Sequence, residues 1–403
     1  MSTSLLYHAF SIRGYHYVRT EFAQGGVIFT IGQDSKDWRC SACGCHQVIG
    51  RGQTERRFRA VPIGRRPVSI VLPIQRVGCL ICGVVRQVDV AFADPRRSYT
   101  RAFERYALDL SKHMTIKGVA DHLGVSWDVI KDIQKRDLQR RFARPALASL
   151  KQIAIDEIYL GKRQGYVTVV LDLHSGAIVF VGQGKGADAL EPFWKRLHRS
   201  GAEIDAVAMD MSAAYLLAVQ THIPWAVVVF DHFHVIKLFN EKLTQLRRDL
   251  YHQAAEADQE VLKGVRWLLL KNPENLDPAR NELARLEKAL HLNRPLATAY
   301  YLKEELRQFW AQADKAAATA FLDSWIRRAR ASGIALLRSF AKTLRWHEDG
   351  LLAYYDYPIS TGPMEGTNNK IRALQRQAYG FRDLEFFRLK LMALHEAKYA
   401  LVG

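Results

Sequence analysis

The 403-residue sequence lacks the features of membrane proteins and of secreted, disulfide-rich proteins. No apolar run approaches the roughly 18 residues that a membrane-spanning helix needs, so we expect no membrane span. The first ten residues do not combine a basic segment with an apolar core, so we expect no secretory signal. Cysteine is scarce, and all five cysteines lie between residues 40 and 82. Such clustering in an intracellular protein indicates metal binding before disulfides.

Acidic residues are also few relative to basic residues. The chain has 41 Asp and Glu against 58 Lys and Arg, which gives a net charge of +17 and a pI near 9.7. Residues 1–150 alone hold 24 basic and 12 acidic side chains. A basic surface binds polyanions because it releases their condensed counterions, so we expect a nucleic-acid partner. The alternative is that the excess charge serves only solubility.

The chain is long enough for two or three domains, and 48% of its residues are hydrophobic, which suffices for a large core. Residues 1–95 have the pattern of short strands and turns, and residues 98–150 are helical. Residues 151–235 then alternate strands with helices, and helical periodicity dominates the remainder. The pattern predicts a meander of three strands followed by parallel strands in βα alternation. The predicted strands are 152–158, 166–173, 177–182, 204–210 and 225–230.

Two cysteine pairs have the spacing of a zinc site. Cys40 and Cys43 form the first pair, and Cys79 and Cys82 form the second. Each pair can hold one side of a tetrahedral ion, so a structural Zn²⁺ in a zinc ribbon is predicted. Cys45 and His46 are competing ligands that could replace a member of the first pair. Buried or redox cysteines are the alternative.

Residues 115–135 have the pattern of a helix-turn-helix. Ala120 is small where two helices would cross, and Gly124 stands at the turn. The second helix would face a DNA major groove, as recognition helices do. An ordinary helical hairpin is the alternative. The residues expected to contact DNA from this helix are Ser126, Trp127, Lys131, Lys135 and Arg136.

Three acidic residues occur in settings that suit catalysis. Asp156 follows the apolar run 153–155, Asp210 follows the run 207–209, and Glu365 lies on a late predicted helix. Two-metal phosphoryl transfer uses hard oxygen ligands, which carboxylates supply. If the first and fourth strands are neighbours, the two aspartates can share a metal ion. Each residue alone is weak evidence, because an aspartate at a strand end often caps a turn; Glu157 and Asp205 are local alternatives.

Several segments together resemble the DDE transposases of the ISL-three insertion-sequence family. The resemblance extends over almost the whole chain, including the cysteine pairs and the helix-turn-helix. The matching segments are residues 155–157 (Ile-Asp-Glu), 209–212 (Met-Asp-Met-Ser), 231–237 (Asp-His-Phe-His-Val-Ile-Lys), 341–344 (Ala-Lys-Thr-Leu), 358–372 (Pro-Ile-Ser-Thr-Gly-Pro-Met-Glu-Gly-Thr-Asn-Asn-Lys-Ile-Arg) and 379–382 (Tyr-Gly-Phe-Arg).

This resemblance implies an RNase H-like catalytic domain in which Asp156, Asp210 and Glu365 form the catalytic triad. It also implies that the helical segment after Asp210 is an insertion in that fold. Asp231 and His234 match a D-x-x-H element of several transposase groups. His234 is therefore expected to contact the scissile phosphate or to orient the surroundings of Asp210; capping and packing of a helix is the alternative.

Further predicted DNA contacts follow Glu365 on the same helical stretch, although a solvated basic face is the alternative. Tryptophans of the insertion, such as Trp267, Trp310, Trp325 and Trp346, are expected to belong to its core, with base stacking as the alternative. The DNA contacts predicted on this stretch are Asn369, Lys370, Arg372 and Arg376.

The predicted fold class is multidomain α+β. The expected domains are a zinc ribbon over residues 1–95, a helix-turn-helix domain over 96–147, and an RNase H-like domain over 148–403 with a helical insertion at about 238–350. The resemblance implies a transposase that binds terminal inverted repeats and target DNA, both double-stranded, as a homodimer or larger assembly. Two catalytic Mg²⁺ ions, with Mn²⁺ as a substitute, and one structural Zn²⁺ are the expected cofactors.

Such a protein would act in the bacterial cytoplasm, at the nucleoid. Two other functions fit part of the pattern. A regulator derived from a transposase would bind DNA through the same modules without cutting it, and an RNase H-like nuclease would cut DNA without joining it.

Overall fold

The computed structural model describes residues 3–162, 164–378 and 380–399, so Tyr379 of the resembling segments lies outside it. The chain divides into two compact units, Met1–Arg141 and Phe142–Gly403. No helix within the described ranges is both long and apolar enough to span a membrane.

The first unit contains a five-stranded sheet with the order β1-β2-β4-β3, and β5 pairs with β4. Strands β2 and β4 are parallel, and the other neighbours are antiparallel. Apolar side chains of β2 and β4, among them Phe29 and Ile70, are fully buried and form its core with Phe58 and Phe92. The elements of this unit are α1 (Thr3–Phe10), β1 (His16–Ala23), β2 (Gly26–Gly32), β3 (Val48–Ile63), β4 (Arg66–Cys79), β5 (Val85–Gln87), α2 (Arg101–Leu110), α3 (Ile116–Leu123) and α4 (Trp127–Phe142).

The expectation of short strands in this region was wrong for β3 and β4, which span 16 and 14 residues. They form one long hairpin that turns at Gly64, where φ is +58° and a side chain would be strained. Two register shifts bend the hairpin. Arginines on the exposed positions of β3 interrupt its apolar alternation, which is why the sequence pattern did not reveal its length.

The helices α3 and α4 form the predicted helix-turn-helix. The Thr115 hydroxyl accepts a hydrogen bond from the Gly118 N–H and so caps α3. Gly124 ends α3 with φ +62°, a conformation that glycine adopts without strain. Its N–H donates to the carbonyls of Ala120 and Asp121. The turn therefore lies at the position predicted from Ala120 and Gly124.

The second unit is built on a sheet with the order β10-β9-β6-β7-β8. Strands β6, β7 and β8 form an antiparallel meander, and β9 and β10 run parallel to β6. This confirms the predicted meander and parallel strands, and it confirms that the first and fourth strands are neighbours. The strands of this unit are β6 (Gln152–Tyr159), β7 (Tyr166–Asp172), β8 (Ile178–Gln183), β9 (Ala206–Met209) and β10 (Val227–Phe230).

Helices cover this sheet and extend the unit. Val, Ile, Ala and Met side chains of β6 and β9 are buried almost completely, so these strands lie inside the core. The helices are α5 (Glu191–Ser200), α6 (Ala213–His222), α7 (His232–Gln253), α8 (Glu256–Gly264), α9 (Glu282–Leu292), α10 (Arg294–Leu306), α11 (Lys315–Ala331), α12 (Ala335–Trp346), α13 (Glu348–Leu352), α14 (Gly362–Gln377), α15 (Leu384–Met392) and α16 (Glu396–Tyr399).

Between β10 and α14 the chain is helical, and aromatic rings join its helices. Trp325 of α11 is fully buried, and its ring meets Phe239 of α7 and Phe340 of α12 edge to face. The expectation that the tryptophans here form core was wrong for Trp267 and Trp346, which are 65% and 80% exposed. Trp346 is the last residue of α12, where the helix leaves the packed interior.

Candidate active site and nucleic-acid interface

Asp156 lies inside β6, and Asp210 directly follows β9, the strand beside it. Ala154 of β6 pairs with Ala208 of β9 in a parallel register. Two residues further along the same register, Asp156 is level with Asp210. Parallel neighbours are separated by only about 5 Å, so the sheet itself brings the two carboxylates to one edge.

The charges around Asp210 show that the two aspartates interact. Burial raises the pKa of Asp210 above its ordinary value, and the negative charge of Asp156 raises it further. The Ser212 N–H, which donates to Asp210 Oδ1 at 3.0 Å, and the positive charges of His234 and Lys237 act in the opposite direction. This edge therefore favours neutralisation of Asp210 by a proton or a cation.

A third aspartate continues the row on the next strand. The Asp231 N–H donates to the Met209 carbonyl at 3.0 Å, so Asp231 follows β10 at the level of Asp210. It is only 2% exposed. Its Oδ1 accepts the Thr361 N–H at 3.0 Å, and its Oδ2 is 3.2 Å from His234 Nδ1 and accepts the His234 N–H. Asp231 thus connects the start of α7 to the residue before α14.

His234 lies beside Asp231 and close enough to Asp156 and Asp210 to respond to their charges. Burial acts to lower its pKa, but the hydrogen bond to Asp231 and the charges of Asp156, Asp231 and Asp210 raise it above the ordinary value. For Asp231, burial acts to raise the pKa, yet the bonds from His234 and the Thr361 N–H lower it. The protonated imidazole is therefore favoured beside the carboxylates. The alternative also holds, because Asp231 caps α7 through the His234 N–H.

Glu365 lies in the first turn of α14 and is exposed. Within the described residues, Asp156, Asp210 and Glu365 do not form a group whose ligand atoms all lie within 4.8 Å of one another. The strand register and the charge of Asp156 on Asp210 relate the two aspartates to each other. Its convergence with them stays a prediction.

Asn368 is a residue of this site that the sequence did not reveal. It lies one turn after Glu365, on the side of α14 that buries Met364 and Ile371. Its Nδ2 donates to Asp156 Oδ2 at 2.8 Å, across 212 residues of sequence. The three-residue spacing from Glu365 was the available signal, because residues i and i+3 share a helix face.

The opposite side of α14 is exposed and basic. On this side, Arg372 Nη1 lies 3.4 Å from Asn369 Oδ1. The partly buried Gln375 instead attaches the helix to its neighbour by donating to the Leu160 carbonyl at 2.6 Å. Four side chains on this helix were predicted to contact DNA, and all of them are exposed: Asn369, Lys370, Arg372 and Arg376.

In the first unit, the four predicted zinc ligands lie together. The Sγ atoms of Cys40, Cys43, Cys79 and Cys82 are all within 4.8 Å of one another. Hydrogen bonds from the Cys82 N–H, the Cys45 thiol and the Ile81 N–H lower the pKa of Cys79 to about 6. This favours the thiolate, which is the form that binds zinc.

The competing ligands have different positions. Cys45 Sγ lies 3.1 Å from Cys79 Sγ, at the margin of this group, whereas His46 is exposed. Neither belongs to the group of four ligand atoms.

The second helix of the helix-turn-helix presents part of its predicted contact surface. Ser126 is exposed, Trp127 is 51% exposed, and Lys131 Nζ lies 5.8 Å from the Trp127 ring centroid. Lys135 is half-buried. Arg136 differs, because its guanidinium pairs with Glu104 at 2.8 Å and is only 24% exposed.

The same unit joins the sheet to this helix pair. Arg59 of β3 donates from its guanidinium to the Leu123 carbonyl at 2.5 Å, at the end of α3. Its backbone N–H donates to Ser98, and its carbonyl accepts the Thr100 N–H. Arg59 therefore fixes the turn of the helix pair against β3.

Residues 153–391 match the profile of the DDE ISL3 family, which is described as a transposase. Residues 88–137 match the helix-turn-helix domain of transposase family ISL3. The chain is 34% identical over 360 residues to the transposase for insertion sequence element IS1001 of Bordetella parapertussis, with 88% of each chain covered. It is 30% identical over 372 residues to the transposase for IS1557 of Mycobacterium tuberculosis, with 85% of this chain and 82% of the relative covered.

A solved structure of the Drosophila P element transposase strand transfer complex aligns with 73% of this chain and 92% of its own, at 12% identity. Its TM-score is 0.40, which is too low to establish a common fold.

Proposed function

Because this chain belongs to the ISL3 family of transposases, we propose that it is the DNA transposase of a bacterial insertion sequence. It binds the terminal inverted repeats of its element, cleaves the element's end and transfers that end to target DNA in a Mg²⁺-dependent reaction. The observation that carries this proposal is the pair of Asp156 in β6 and Asp210 after β9, which lie level with each other and whose charges interact.

The residues at this edge fit a hard divalent cation. Their donors are carboxylate oxygens, and burial and the charge of Asp156 raise the pKa of Asp210, so a bound cation would stabilise its ionised form. Asp156, Asp210 and Glu365 would hold the two Mg²⁺ ions. When bound, these ions supply activation of the attacking oxygen and stabilisation of the leaving oxygen.

The chain's own residues prepare this edge. Asp156 is oriented through both oxygens, since Oδ1 accepts the Glu157 N–H and Oδ2 accepts from Asn368. His234, whose pKa is raised, offers a positive charge for the scissile phosphate. Asp231 holds His234 and the segment that leads to Glu365. In an RNase H-like domain over residues 148–403, the helical segment at about 238–350 is then an insertion.

DNA binding is assigned to three surfaces. A zinc-ribbon domain over residues 1–95 and a helix-turn-helix domain over 96–147 bind the terminal repeats, and the basic side of α14 binds phosphates beside the cut. Zn²⁺ held by the four cysteines is structural, because four protein ligands leave no position open for chemistry. Two ends must be processed together, so the protein acts as a homodimer or larger assembly at the nucleoid in the cytoplasm.

The test is an end-cleavage and strand-transfer assay on the element's own ends with Mg²⁺. Wild type is compared with Asp210→Ala and with Asp205→Ala. Asp205 is the matched control, because it is an exposed carboxylate just before the same strand. We expect wild type and Asp205→Ala to cut and join, and Asp210→Ala to bind the ends equally but lose both steps by at least about 1,000-fold.

The two alternative functions give different results in the same assay. Specific binding of the ends by wild type, without cutting, would identify a regulator. Cutting without joining would identify a nuclease. Retained strand transfer in Asp210→Ala would remove the assigned active site.

A further inference from the structure

We propose that Asn368 is a ligand of the divalent cation at Asp156 and Asp210, with its Nδ2 fixing Asp156 and its Oδ1 facing the cation. This inference rests on the proposed function, because it adds one residue to the same metal site. Asn368 would supply a neutral oxygen that the three-carboxylate pattern does not contain.

Asn368 is in direct contact with Asp156. Asn368 is 9% exposed, and its Nδ2 donates to Asp156 Oδ2 at 2.8 Å. A hydrogen bond to a carboxylate is stronger than one between neutral groups, and burial strengthens it further. The bond therefore fixes both Asp156 and the side chain of Asn368.

The other end of the same amide, the Oδ1 atom of Asn368, points to the cation as well. Asn368 Oδ1 is buried and has no hydrogen-bond partner within the part of the chain that the structure describes. A buried acceptor without a donor has lost its hydrogen bonds to water without replacement, so such atoms are uncommon in folded proteins. Because amide oxygens are hard ligands for Mg²⁺ and related ions, a cation beside Asp156 would satisfy this atom.

An unpaired amide oxygen is not sufficient by itself. Asn240 of α7 also has a buried Oδ1 without a partner. Across the described residues, however, its side chain makes no hydrogen bond to a carboxylate of the site, whereas Asn368 bonds to Asp156. The combination of an orphaned oxygen and a bond to Asp156 is what identifies Asn368.

The placement of α14 supports the same assignment. Thr361, just before the helix, is tied to Asp231, and Asn368 ties the second turn to Asp156. Glu365 stands between these two attachments, three residues before Asn368. One turn of α14 would then carry two oxygen donors to the cation, one charged and one neutral.

The experiment measures Mn²⁺ affinity of the full chain without DNA, by electron paramagnetic resonance. We expect Asn368→Leu to bind Mn²⁺ at least about 10-fold more weakly than wild type, as loss of a metal-site partner does. Asn368→Asp returns an oxygen with added charge, so we expect it to bind at least as tightly as wild type. Asn240→Leu is the matched control and should bind like wild type.

Asp210→Ala identifies the signal that belongs to this site. If wild type binds Mn²⁺ no better than Asp210→Ala, the metal site of the proposed function is absent. If wild type binds better than Asp210→Ala while both Asn368 variants match wild type, the Asn368 inference is overturned and the proposed function stands. Should Asn368→Leu fail to fold, weaker binding by a folded Asn368→Asp would also overturn it.

Discussion

The two candidate metal sites of this protein are assembled in different ways. The four cysteine Sγ atoms of the first unit already lie within 4.8 Å of one another, and they come from two short turns. At the edge of the second sheet, Asp156 and Asp210 interact, and Glu365 comes from a helix that begins more than 150 residues later in the sequence.

Ligand chemistry explains this difference. Thiols are neutral when protonated, so four of them can approach closely, and each C-x-x-C turn fixes its own pair. Carboxylates near one another repel, and burial adds to the cost, which is what the raised pKa of Asp210 reflects. A structural metal site is closed by the protein, whereas a catalytic site leaves positions open for substrate. The comparison predicts that metal removal affects the two units unequally.

The largest effect is expected at the cysteine cluster. Replacement of Cys79 by Ala, or removal of Zn²⁺ by a chelator, should abolish the thermal transition of the first unit, because structural zinc contributes on the order of 10 kcal/mol to the folding of small modules. The transition of the second unit should not move. Calorimetry of the full chain, together with measurement of bound zinc, tests this.

Cys45→Ser is the control for the ligand set. Cys45 does not belong to the four-atom group, so this variant should keep one zinc ion and both transitions. Loss of zinc from Cys45→Ser would show that Cys45 is a ligand and that the group of four is incomplete.

A smaller effect is expected at Asp231, which holds the carboxylate edge together by hydrogen bonds. Asp231→Ala leaves the buried Thr361 N–H and His234 without their acceptor, so the second unit should lose about 3 kcal/mol in its free energy of unfolding. Urea unfolding measures this, and Asp205→Ala should stay within about 0.5 kcal/mol of wild type. Equal stability of both variants would show that Asp231 does not support this edge.

Local chemistry determined which parts of both sites could be predicted. The cysteine pairs are encoded within a few residues. The apolar runs before Asp156 and Asp210 predict strands there, and the structure has Asp156 inside β6 and Asp210 directly after β9. The order of the strands then follows from the meander and the βα alternation. This is why the neighbouring positions of β6 and β9 could be predicted from the sequence.

Contacts between distant segments could not be predicted in the same way. Asn368 resembles any helix-surface amide until its partner, Asp156, is known from the fold. Arg136 resembles a DNA contact on a recognition helix, but in the folded unit it pairs with Glu104. In both cases, burial and a partner far away in sequence decide what a polar side chain does.

A still smaller effect, of opposite sign, is expected from Asp210. Burial and the charge of Asp156 disfavour its ionised form, so Asp210→Asn should stabilise the second unit by about 1 kcal/mol in EDTA. The asparagine Oδ1 can still accept the Ser212 N–H. The same variant should lose strand transfer. If Asp210→Asn destabilises the unit in EDTA, the ionised form of Asp210 is not disfavoured in the folded unit.

The smallest effect is a loss of stability in acid that comes from His395, a residue that binds no metal ion in our assignment. Burial, together with the charges of Lys370 and Lys398, lowers the pKa of His395 from 6.5 to about 4. The unfolded chain therefore takes up a proton near pH 6.5, whereas the folded chain does so only near pH 4. Stability of the second unit must then fall as the pH drops through this window. Because His395 is partly exposed, we expect the loss to stay below about 1 kcal/mol.

His395→Phe should remove this part of the slope between pH 7 and 5, and His252→Gln, on the exposed side of α7, should retain it. Unfolding in urea at pH 7, 6 and 5, in EDTA, measures the slopes. Identical slopes for His395→Phe and wild type would show that His395 does not contribute to the acid sensitivity of the second unit.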